Sequence, residues 1–184
     1  MAVARRERVA KLLMLNMRDS IGRITKGLLV NVADAVDVIE PVAKFVAPLQ
    51  EVTGVRNVFN VGLEEWYPAE GMLYNLIWVQ WCLGYLTNEQ VVAFMKRCRA
   101  ALSPGGGIMV VKENLSTSGS DAFDEVDGSV TRVDSNFLSL FEEAGWRVIR
   151  TETQRGFVSI DPRKLLPVRS YALKPKDAAG TGSL

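Results

Sequence analysis

A glutamine and a tryptophan at the end of an apolar run are the residues that most clearly suggest a binding site. Residues 77–79 (Ile-Trp-Val) are followed directly by Gln80 and Trp81. A buried amide without hydrogen-bond partners costs about 1–3 kcal/mol, so Gln80 should have polar partners close by. If the run is a strand of an open α/β sheet, its carboxyl end faces the crevice where such folds bind ligands. Gln80 and Trp81 are therefore the first candidates for a ligand site.

The absence of histidine limits the acid–base chemistry that is available to this chain. The sequence contains none, which excludes Ser-His-Asp catalysis and histidine-ligated metals. Proton transfer must then use carboxylates, Tyr, Lys or water. Residues 114–128 are rich in Ser, Gly and Asp and are too long for an ordinary connection, which predicts a functional loop. Asp124 and Asp127 would share a face if that segment were helical, and a solvated acidic loop is the competing interpretation.

Length and composition limit the classes of protein to which this chain can belong. A chain of 184 residues that is 48% hydrophobic supports one compact domain. A net charge of +1 without a basic stripe gives no nucleic-acid signature, and no apolar run approaches the ~20 residues that span a bilayer. The two cysteines, Cys82 and Cys98, lack metal-ligand spacing and are interpreted as packing residues in a reducing compartment. We therefore expect no metal, no nucleic acid and no membrane partner, and a monomer in the cytoplasm and also the nucleus.

Strand and helix patterns alternate along the chain. Five strands are predicted at 12–17, 35–39, 55–60, 74–79 and 108–112, and a terminal antiparallel pair at 146–152 and 168–173. Helices are predicted through Ile24–Leu29, at 43–49 with Pro41 at the first helical position, at 88–102 after Thr87, and at 136–144. The alternation predicts an α/β fold with a doubly wound, mostly parallel, seven-stranded sheet.

Two further segments have plain structural interpretations. Gly105, Gly106 and Gly107 follow a predicted helix rather than the first strand, which indicates a turn and not a phosphate-binding loop. Lys96, Arg97 and Arg99 are interpreted as an ordinary solvated helix face.

Several short blocks, in order between residues 21 and 173, carry a family resemblance. They are IGRITK at 21–26, VDVIEP at 36–41, GLE at 62–64, IWVQW at 77–81, RC at 97–98, KEN at 112–114, DEVDGSVTR at 124–132 and SYAL at 170–173. On these blocks the chain resembles the protein α-N-terminal methyltransferases that modify N-terminal X-Pro-Lys sequences. These enzymes belong to the Rossmann-like class I S-adenosylmethionine-dependent methyltransferases. The resemblance implies S-adenosylmethionine as the cofactor and protein or peptide N-termini as the partners.

The resemblance assigns six residues to the cofactor. They are Gly22 and Arg23 at the methionine part, with Arg23 facing its carboxylate, Glu40 at the ribose hydroxyls, Leu63 and Glu64 beside the adenine, and Gln80 beside the methionine part. An arginine suits a carboxylate because its planar fork of donors matches two oxygens.

The resemblance also implies the substrate side of the site. The residues are Trp81 as the wall that holds the incoming N-terminus, Asn114 at the first carbonyl, Asp124, Asp127 and Ser129 as the polar rim, and Tyr85 where the family often has a histidine. Asp127 is the candidate general base, and Tyr85 would assist it. An indole face attracts a cation by roughly 0.5–2 kcal/mol, which suits a protonated N-terminus.

Departures from the family pattern leave other hypotheses open. The family has a Gly-x-Gly-x-Gly loop after its first strand, and only Gly22 remains of it here. We expect residues 1–18 to be a divergent or truncated start and residues 174–184 a flexible tail of a single methyltransferase domain spanning 1–184. The second hypothesis is a catalytically impaired relative that binds a peptide or partner protein. A small-molecule methyltransferase of the same fold is the third, and a nicotinamide enzyme is a distant fourth because its glycine pattern is met more poorly still.

Overall fold

The computed structural model describes residues 24–155 and 165–176, together with the backbone of residues 12–16. The strands are β1 (Leu12–Asn16), β2 (Val36–Ile39), β3 (Val55–Phe59), β4 (Leu76–Gln80), β5 (Ile108–Asn114), β6 (Ala122–Asp124), β7 (Ser129–Thr131), β8 (Trp146–Thr153) and β9 (Val168–Pro175). The helices are a π-helix (Thr25–Leu29) that continues into α1 (Val30–Val32), then α2 (Ala43–Gln50), a 3-10 turn (Leu83–Tyr85), α3 (Asn88–Ala100) and α4 (Asp134–Glu143).

Seven of the described strands form one sheet, in the order β3-β2-β1-β4-β5-β9-β8. β1 to β5 run parallel, β9 is antiparallel to β5, and β8 is antiparallel to β9. β1 and β4 are neighbours at the sheet centre, where the order reverses, and open α/β sheets bind ligands at the carboxyl ends beside this point. β6 and β7 pair only with each other and form a hairpin outside the main sheet.

The sheet buries an apolar cluster on each face. Ile77 and Val79 of β4 are fully buried in a large cluster with residues of α3 and α4. Trp78, which points to the opposite face, is half-buried. It packs against a smaller cluster that includes Leu29 of the π-helix and Leu49 of α2. Because alternate side chains of a β-strand point to the same face, Gln80 lies on the same face of β4 as Trp78.

Several predicted boundaries are wrong by a few residues, each for a local reason. α2 begins at Ala43 after an extended Val42, so Pro41 precedes the helix rather than opening it. β4 begins at Leu76, because Tyr74 instead forms an isolated parallel bridge with Leu102. β9 runs to Pro175, two residues beyond the predicted end, and pairs there with Trp146.

The acidic segment 121–128 is a hairpin and not a helix. Asp124 closes β6 with its Oδ1 accepting a hydrogen bond from the Val126 N–H at 2.8 Å, which is the geometry of an Asx turn. Gly128 then adopts a left-handed φ of 71°, which glycine does without a steric penalty. Asp124 and Asp127 therefore lie on either side of a turn tip.

Two further observations concern the glycine run after α3 and the length of the helices. Residues 104–106 form a turn, as the glycine run after α3 predicts. None of the described helices has the length and apolar character needed to cross a membrane.

The α3 helix that follows the 3-10 turn has a complete capping box. The Gln90 N–H donates to Thr87 Oγ1 at 3.3 Å, and the Thr87 N–H donates to Gln90 Oε1 at 2.8 Å. These bonds satisfy backbone donors that the first helical turn leaves without partners.

We expect Thr87→Ala to lower the free energy of unfolding by about 1 kcal/mol, because the cap at α3 is lost. Urea denaturation followed by circular dichroism measures this change. Thr117→Ala, at an exposed threonine outside helices and strands, is the control and should change the free energy by less than ~0.5 kcal/mol. Equal losses in both variants would contradict a capping role.

Candidate active site

A cavity of about 260 Å³ opens beside the carboxyl ends of β4 and β5. Its walls come from the segment after β4, the end of β5, the β6–β7 hairpin and α4. The lining residues are Trp81, Gly84, Tyr85, Glu113, Asn114, Ser129, Val130, Thr131 and Phe137. Four residues expected at the substrate side, Trp81, Tyr85, Asn114 and Ser129, therefore share one cavity.

Trp81 holds an unusual backbone conformation at the cavity wall. Its φ is +52°, a left-handed value that is uncommon for a bulky residue and is kept only where the surroundings enforce it. The Trp81 N–H donates to the Lys112 carbonyl at 3.1 Å, and the Lys112 Nζ lies 5.4 Å from the centre of the indole ring. Partial burial lowers the pKa of Lys112. The Trp81 Nε1 is buried and has no acceptor among the described residues.

Tyr85 and Asp127 form a hydrogen-bonded pair between the 3-10 turn and the hairpin. The Tyr85 hydroxyl donates to Asp127 Oδ2 at 3.3 Å, and the Ser129 N–H donates to Asp127 Oδ1 at 3.0 Å. Tyr85 and Ser129 line the cavity, whereas Asp127 is bonded to both of them but is not itself among the lining residues. The hairpin packs closely here, since a Cβ on Gly84 would lie 3.2 Å from the Val130 carbonyl oxygen.

Glu113 is a buried carboxyl group in the cavity wall. It is 6% exposed, and its Oε1 accepts hydrogen bonds from the N–H groups of Cys82 at 2.8 Å and Leu83 at 2.9 Å. Burial raises the pKa of Glu113 to about 7, although the two N–H donors and the nearby Arg132 charge act in the opposite direction. This carboxyl group therefore changes charge near neutral pH.

Arg132 holds the same turn from the hairpin side. It is 1% exposed and donates to the carbonyls of Leu83 at 2.8 Å and Leu86 at 2.5 Å, and to Asn88 Oδ1 at 2.8 Å. Burial lowers the pKa of Arg132, opposed by nearby acidic groups that include Asp121 and Glu113. The turn after Trp81 is thus fixed by a buried carboxyl group at its N–H groups and a buried guanidinium at its carbonyls.

On the expected cofactor side, Glu40 and Gln80 are buried polar residues at strand ends. Glu40 is 4% exposed, and its Oε1 accepts the Val42 N–H at 2.9 Å. Burial raises the pKa of Glu40, which the Val42 hydrogen bond partly offsets. Gln80 is 1% exposed, and its Oε1 accepts a hydrogen bond from Trp78 Nε1 at 3.1 Å.

Arg97 fixes the backbone at Leu63 and Glu64 through hydrogen bonds to their carbonyl groups. The Leu63 side chain is fully buried in the larger apolar cluster, and Glu64 is exposed. Arg97 Nη2 donates to the carbonyls of Leu63 at 2.8 Å and Glu64 at 3.1 Å, and its guanidinium lies 4.7 Å from the Tyr67 ring centre. The interpretation of Arg97 as part of a solvated helix face is therefore wrong.

The remaining candidate residues are Gly22, Arg23 and Asp124. Gly22 and Arg23 lie outside the described residues. Asp124 is exposed at the hairpin turn and is absent from the cavity lining. Across ranges 24–155 and 165–176, no cluster of three or more His, Cys, Asp or Glu side chains could hold a metal ion.

Sequence reasoning did not assign roles to Glu113 and Arg132. Glu113 shares a strand face with Met109 and Val111, both fully buried, so it stands at a core position of β5. An ionisable residue that alternates with buried apolar residues along a strand is the sequence pattern that could have indicated this burial. Arg132 follows the short hairpin strand β7, and no local pattern indicated that it is buried.

A family model described as "AdoMet dependent proline di-methyltransferase" matches residues 3–174. The chain belongs to this family. It is 43% identical over 157 residues to alpha N-terminal protein methyltransferase 1 of Schizosaccharomyces pombe, covering 84% of this chain and 68% of that protein. It is 41% identical to the protein of the same name from Arabidopsis thaliana, covering 88% of this chain and 59% of that protein. N-terminal Xaa-Pro-Lys N-methyltransferase 1-A of Xenopus laevis is 36% identical, with 84% and 68% covered.

Solved structures place this family member in the S-adenosylmethionine-dependent methyltransferase fold. A SAM-dependent methyltransferase of Leishmania major superposes with a TM-score of 0.78 at 33% identity, covering 90% of this chain and 65% of that one. The 1,6-didemethyltoxoflavin-N1-methyltransferase of Burkholderia thailandensis superposes with a TM-score of 0.72 at 16% identity, covering 92% and 72%. The chain thus spans between about three-fifths and two-thirds of the length of its Arabidopsis and Leishmania relatives. The predicted family and fold class are confirmed.

The raised pKa of Glu113 predicts a pH-dependent stability. The native state keeps the Glu113 proton up to about pH 7, whereas the unfolded chain releases it near 4.5, so Glu113 lowers the free energy of unfolding as pH rises through that window. Glu113→Gln keeps an oxygen acceptor for the turn and removes the titration. We therefore expect the variant to gain stability relative to the wild type, on the order of 2–3 kcal/mol, between pH 4.5 and pH 8.

Urea denaturation at pH 5 and pH 8 measures that difference. Glu70→Gln, at an exposed glutamate, is the control and should run parallel to the wild type across the range. A stability difference between Glu113→Gln and the wild type that is the same at both pH values would contradict the assignment.

Proposed function

We propose that this protein methylates the α-amino group of proteins whose N-terminal sequence is X-Pro-Lys, using S-adenosylmethionine. The observation that supports this most is the pairing of Asp127 with Tyr85 at a cavity that Trp81 and Asn114 also line. The cavity opens at the carboxyl ends of β4 and β5, next to the β1–β4 switch point where ligands bind in open α/β sheets.

The residues at the ends of β2 and β4 fit the proposed cofactor. Glu40 is buried, and hydrogen bonds from ribose hydroxyls would compensate for the loss of hydration that its carboxylate undergoes there. Gln80 has its amide oxygen engaged by Trp78, which fixes the side chain beside the proposed methionine part. Arg23 and Gly22 would complete this side. When bound, S-adenosylmethionine supplies an electrophilic methyl group, so the protein has only to position an amine and remove a proton.

The proton must leave because an α-amine, with a pKa of about 7.7–8.0, is mostly protonated at neutral pH. We assign this step to Asp127, with Tyr85 hydrogen-bonded to one of its oxygens and Ser129 to the other. The proton would pass from the amine to Asp127 directly or through water, and the nitrogen lone pair would then be free to attack. Trp81 would form one wall for the N-terminus and Asn114 would donate to its first carbonyl oxygen.

The exposed acidic tip of the hairpin supports a cationic peptide as the substrate. Asp124 and Glu125 are both exposed at the turn of the hairpin whose other strand, β7, lines the cavity. Opposite charge on the two partners speeds encounter and disfavours acidic peptides. This accounts for a basic third residue in the proposed substrate.

We expect Asp127→Asn to lower kcat by about 100-fold or more with an X-Pro-Lys peptide, because the proton acceptor is removed. Mass spectrometry of the peptide after incubation with S-adenosylmethionine measures the transfer. Tyr85→Phe should reduce kcat less, by about tenfold, since it loses one hydrogen bond to Asp127. Glu70→Gln, at an exposed glutamate outside the hairpin, is the control. No transfer by the wild-type chain that still binds S-adenosylhomocysteine would refute the proposed activity in favour of a non-catalytic peptide-binding relative.

For the cofactor, we expect Glu40→Ala to weaken binding of S-adenosylhomocysteine by about 10- to 100-fold, corresponding to the loss of hydrogen bonds to a buried carboxylate. Glu40→Gln should have a smaller effect because it retains an acceptor for Val42 and for one hydroxyl. Isothermal titration calorimetry measures both. The exposed Glu51→Ala is the control, and a Glu40→Ala variant with wild-type affinity would remove Glu40 from the cofactor site.

A further inference from the structure

We propose that Glu113 and Arg132 are a positioning pair, which sets where Trp81 and Tyr85 stand relative to each other and so aligns the substrate N-terminus for methyl transfer. This inference rests on the proposed function and assigns a role within the same site. Neither residue is proposed to exchange a proton with the substrate.

The contacts of the pair are concentrated on one short backbone segment. Glu113 accepts from the N–H groups of Cys82 and Leu83, and Arg132 donates to the carbonyls of Leu83 and Leu86. Trp81 precedes this segment directly and Tyr85 lies within it. The two substrate-side aromatic residues therefore depend on a turn whose conformation is held by a buried carboxyl group and a buried guanidinium from two other elements.

The chain neighbours of the pair extend its effect to the rest of the cavity. Glu113 is followed by Asn114, which lines the cavity at the end of β5. Arg132 follows Thr131, which also lines the cavity and belongs to the same strand as Ser129. Fixing the turn to Glu113 and Arg132 therefore fixes three substrate-facing segments against one another.

Both members of the pair are buried polar side chains. Glu113 and Arg132 are 6% and 1% exposed, and burying an ion costs several kcal/mol unless its partners are well arranged. The turn also holds Trp81 at φ +52°, a conformation that must be imposed from outside. Buried polar groups with fixed hydrogen-bond directions impose such geometry, whereas an apolar replacement would leave the four backbone groups without partners.

Two substitutions at Glu113 distinguish the effect of the position of its carboxyl group from the effect of its charge. Glu113→Gln keeps the length and the oxygen acceptor but removes the charge. Glu113→Asp keeps the charge but withdraws the carboxylate by one methylene from Cys82 and Leu83. For a positioning role we expect kcat/KM for the peptide to stay within threefold in Glu113→Gln and to fall at least tenfold in Glu113→Asp, while S-adenosylhomocysteine affinity stays within twofold in both.

Arg132→Lys tests the other half of the pair. A lysine ammonium cannot reproduce the three-way donation to Leu83, Leu86 and Asn88. We expect a tenfold or greater loss of kcat/KM, and a combined Glu113→Asp and Arg132→Lys variant that loses much less than the product of the two single losses, because both act on one turn. Tyr171→Phe is the control: it removes a partly buried hydrogen bond to Asp134, 2.6 Å long, that does not involve the turn, and should leave kcat/KM within twofold.

Hydrogen–deuterium exchange of the segment 80–87 gives a readout that is independent of activity. Exchange should increase in Glu113→Asp and Arg132→Lys and stay at the wild-type level in Glu113→Gln and Tyr171→Phe. Wild-type kinetics and exchange in Glu113→Asp would overturn the proposal. So would a loss in Glu113→Gln as large as that in Glu113→Asp, which would instead assign Glu113 to proton uptake. A wild-type chain that binds S-adenosylhomocysteine but transfers no methyl group would refute the proposed function, while the exchange data would still decide whether the pair holds the turn.

Discussion

The backbone between Trp81 and α3 depends on two buried polar side chains, a carboxyl group and a guanidinium. Here the chain leaves the central strand β4, and the N–H groups of Cys82 and Leu83 and the carbonyls of Leu83 and Leu86 bond to side chains. Glu113 supplies the acceptor from β5, and Arg132 supplies the donors from the hairpin side. Since an unsatisfied buried polar group costs about 1–3 kcal/mol, the turn, the cavity wall and the hairpin are stabilised together.

A second polar network serves the other half of the sheet without approaching the cavity. Asp37 of β2 is buried and accepts hydrogen bonds from Arg56 Nε at 2.8 Å, Asn57 at 3.0 Å and the Tyr74 hydroxyl at 2.7 Å. Burial acts to raise the pKa of Asp37, but these donors outweigh it and hold the pKa below its usual value. The protein thus contains one ion network that joins strands β2 and β3 and another that shapes the site.

The sequence predicts β2 and β4 well because each is a short run of mostly apolar residues, many of them buried. Gln80 and Trp81 were also recognisable, since a polar residue interrupts such a run at its carboxyl end. Other features depend on contacts distant in the chain. Tyr74 was expected within β4 but pairs with Leu102, and the burial of Arg132 follows from carbonyls 46 to 49 positions away.

The hairpin of β6 and β7 adds no strand to the main sheet. Its attachment includes the close approach at Gly84, the Tyr85–Asp127 hydrogen bond, the Arg132 contacts and the hydrogen bonds that Asp121 accepts from Val133 and Asn136. Val126, at the hairpin tip, is exposed, so substitutions there leave the packing of the main sheet unchanged. Substitutions in this hairpin alone could therefore change which polypeptides bind, while the main sheet that holds the methyl donor stays the same.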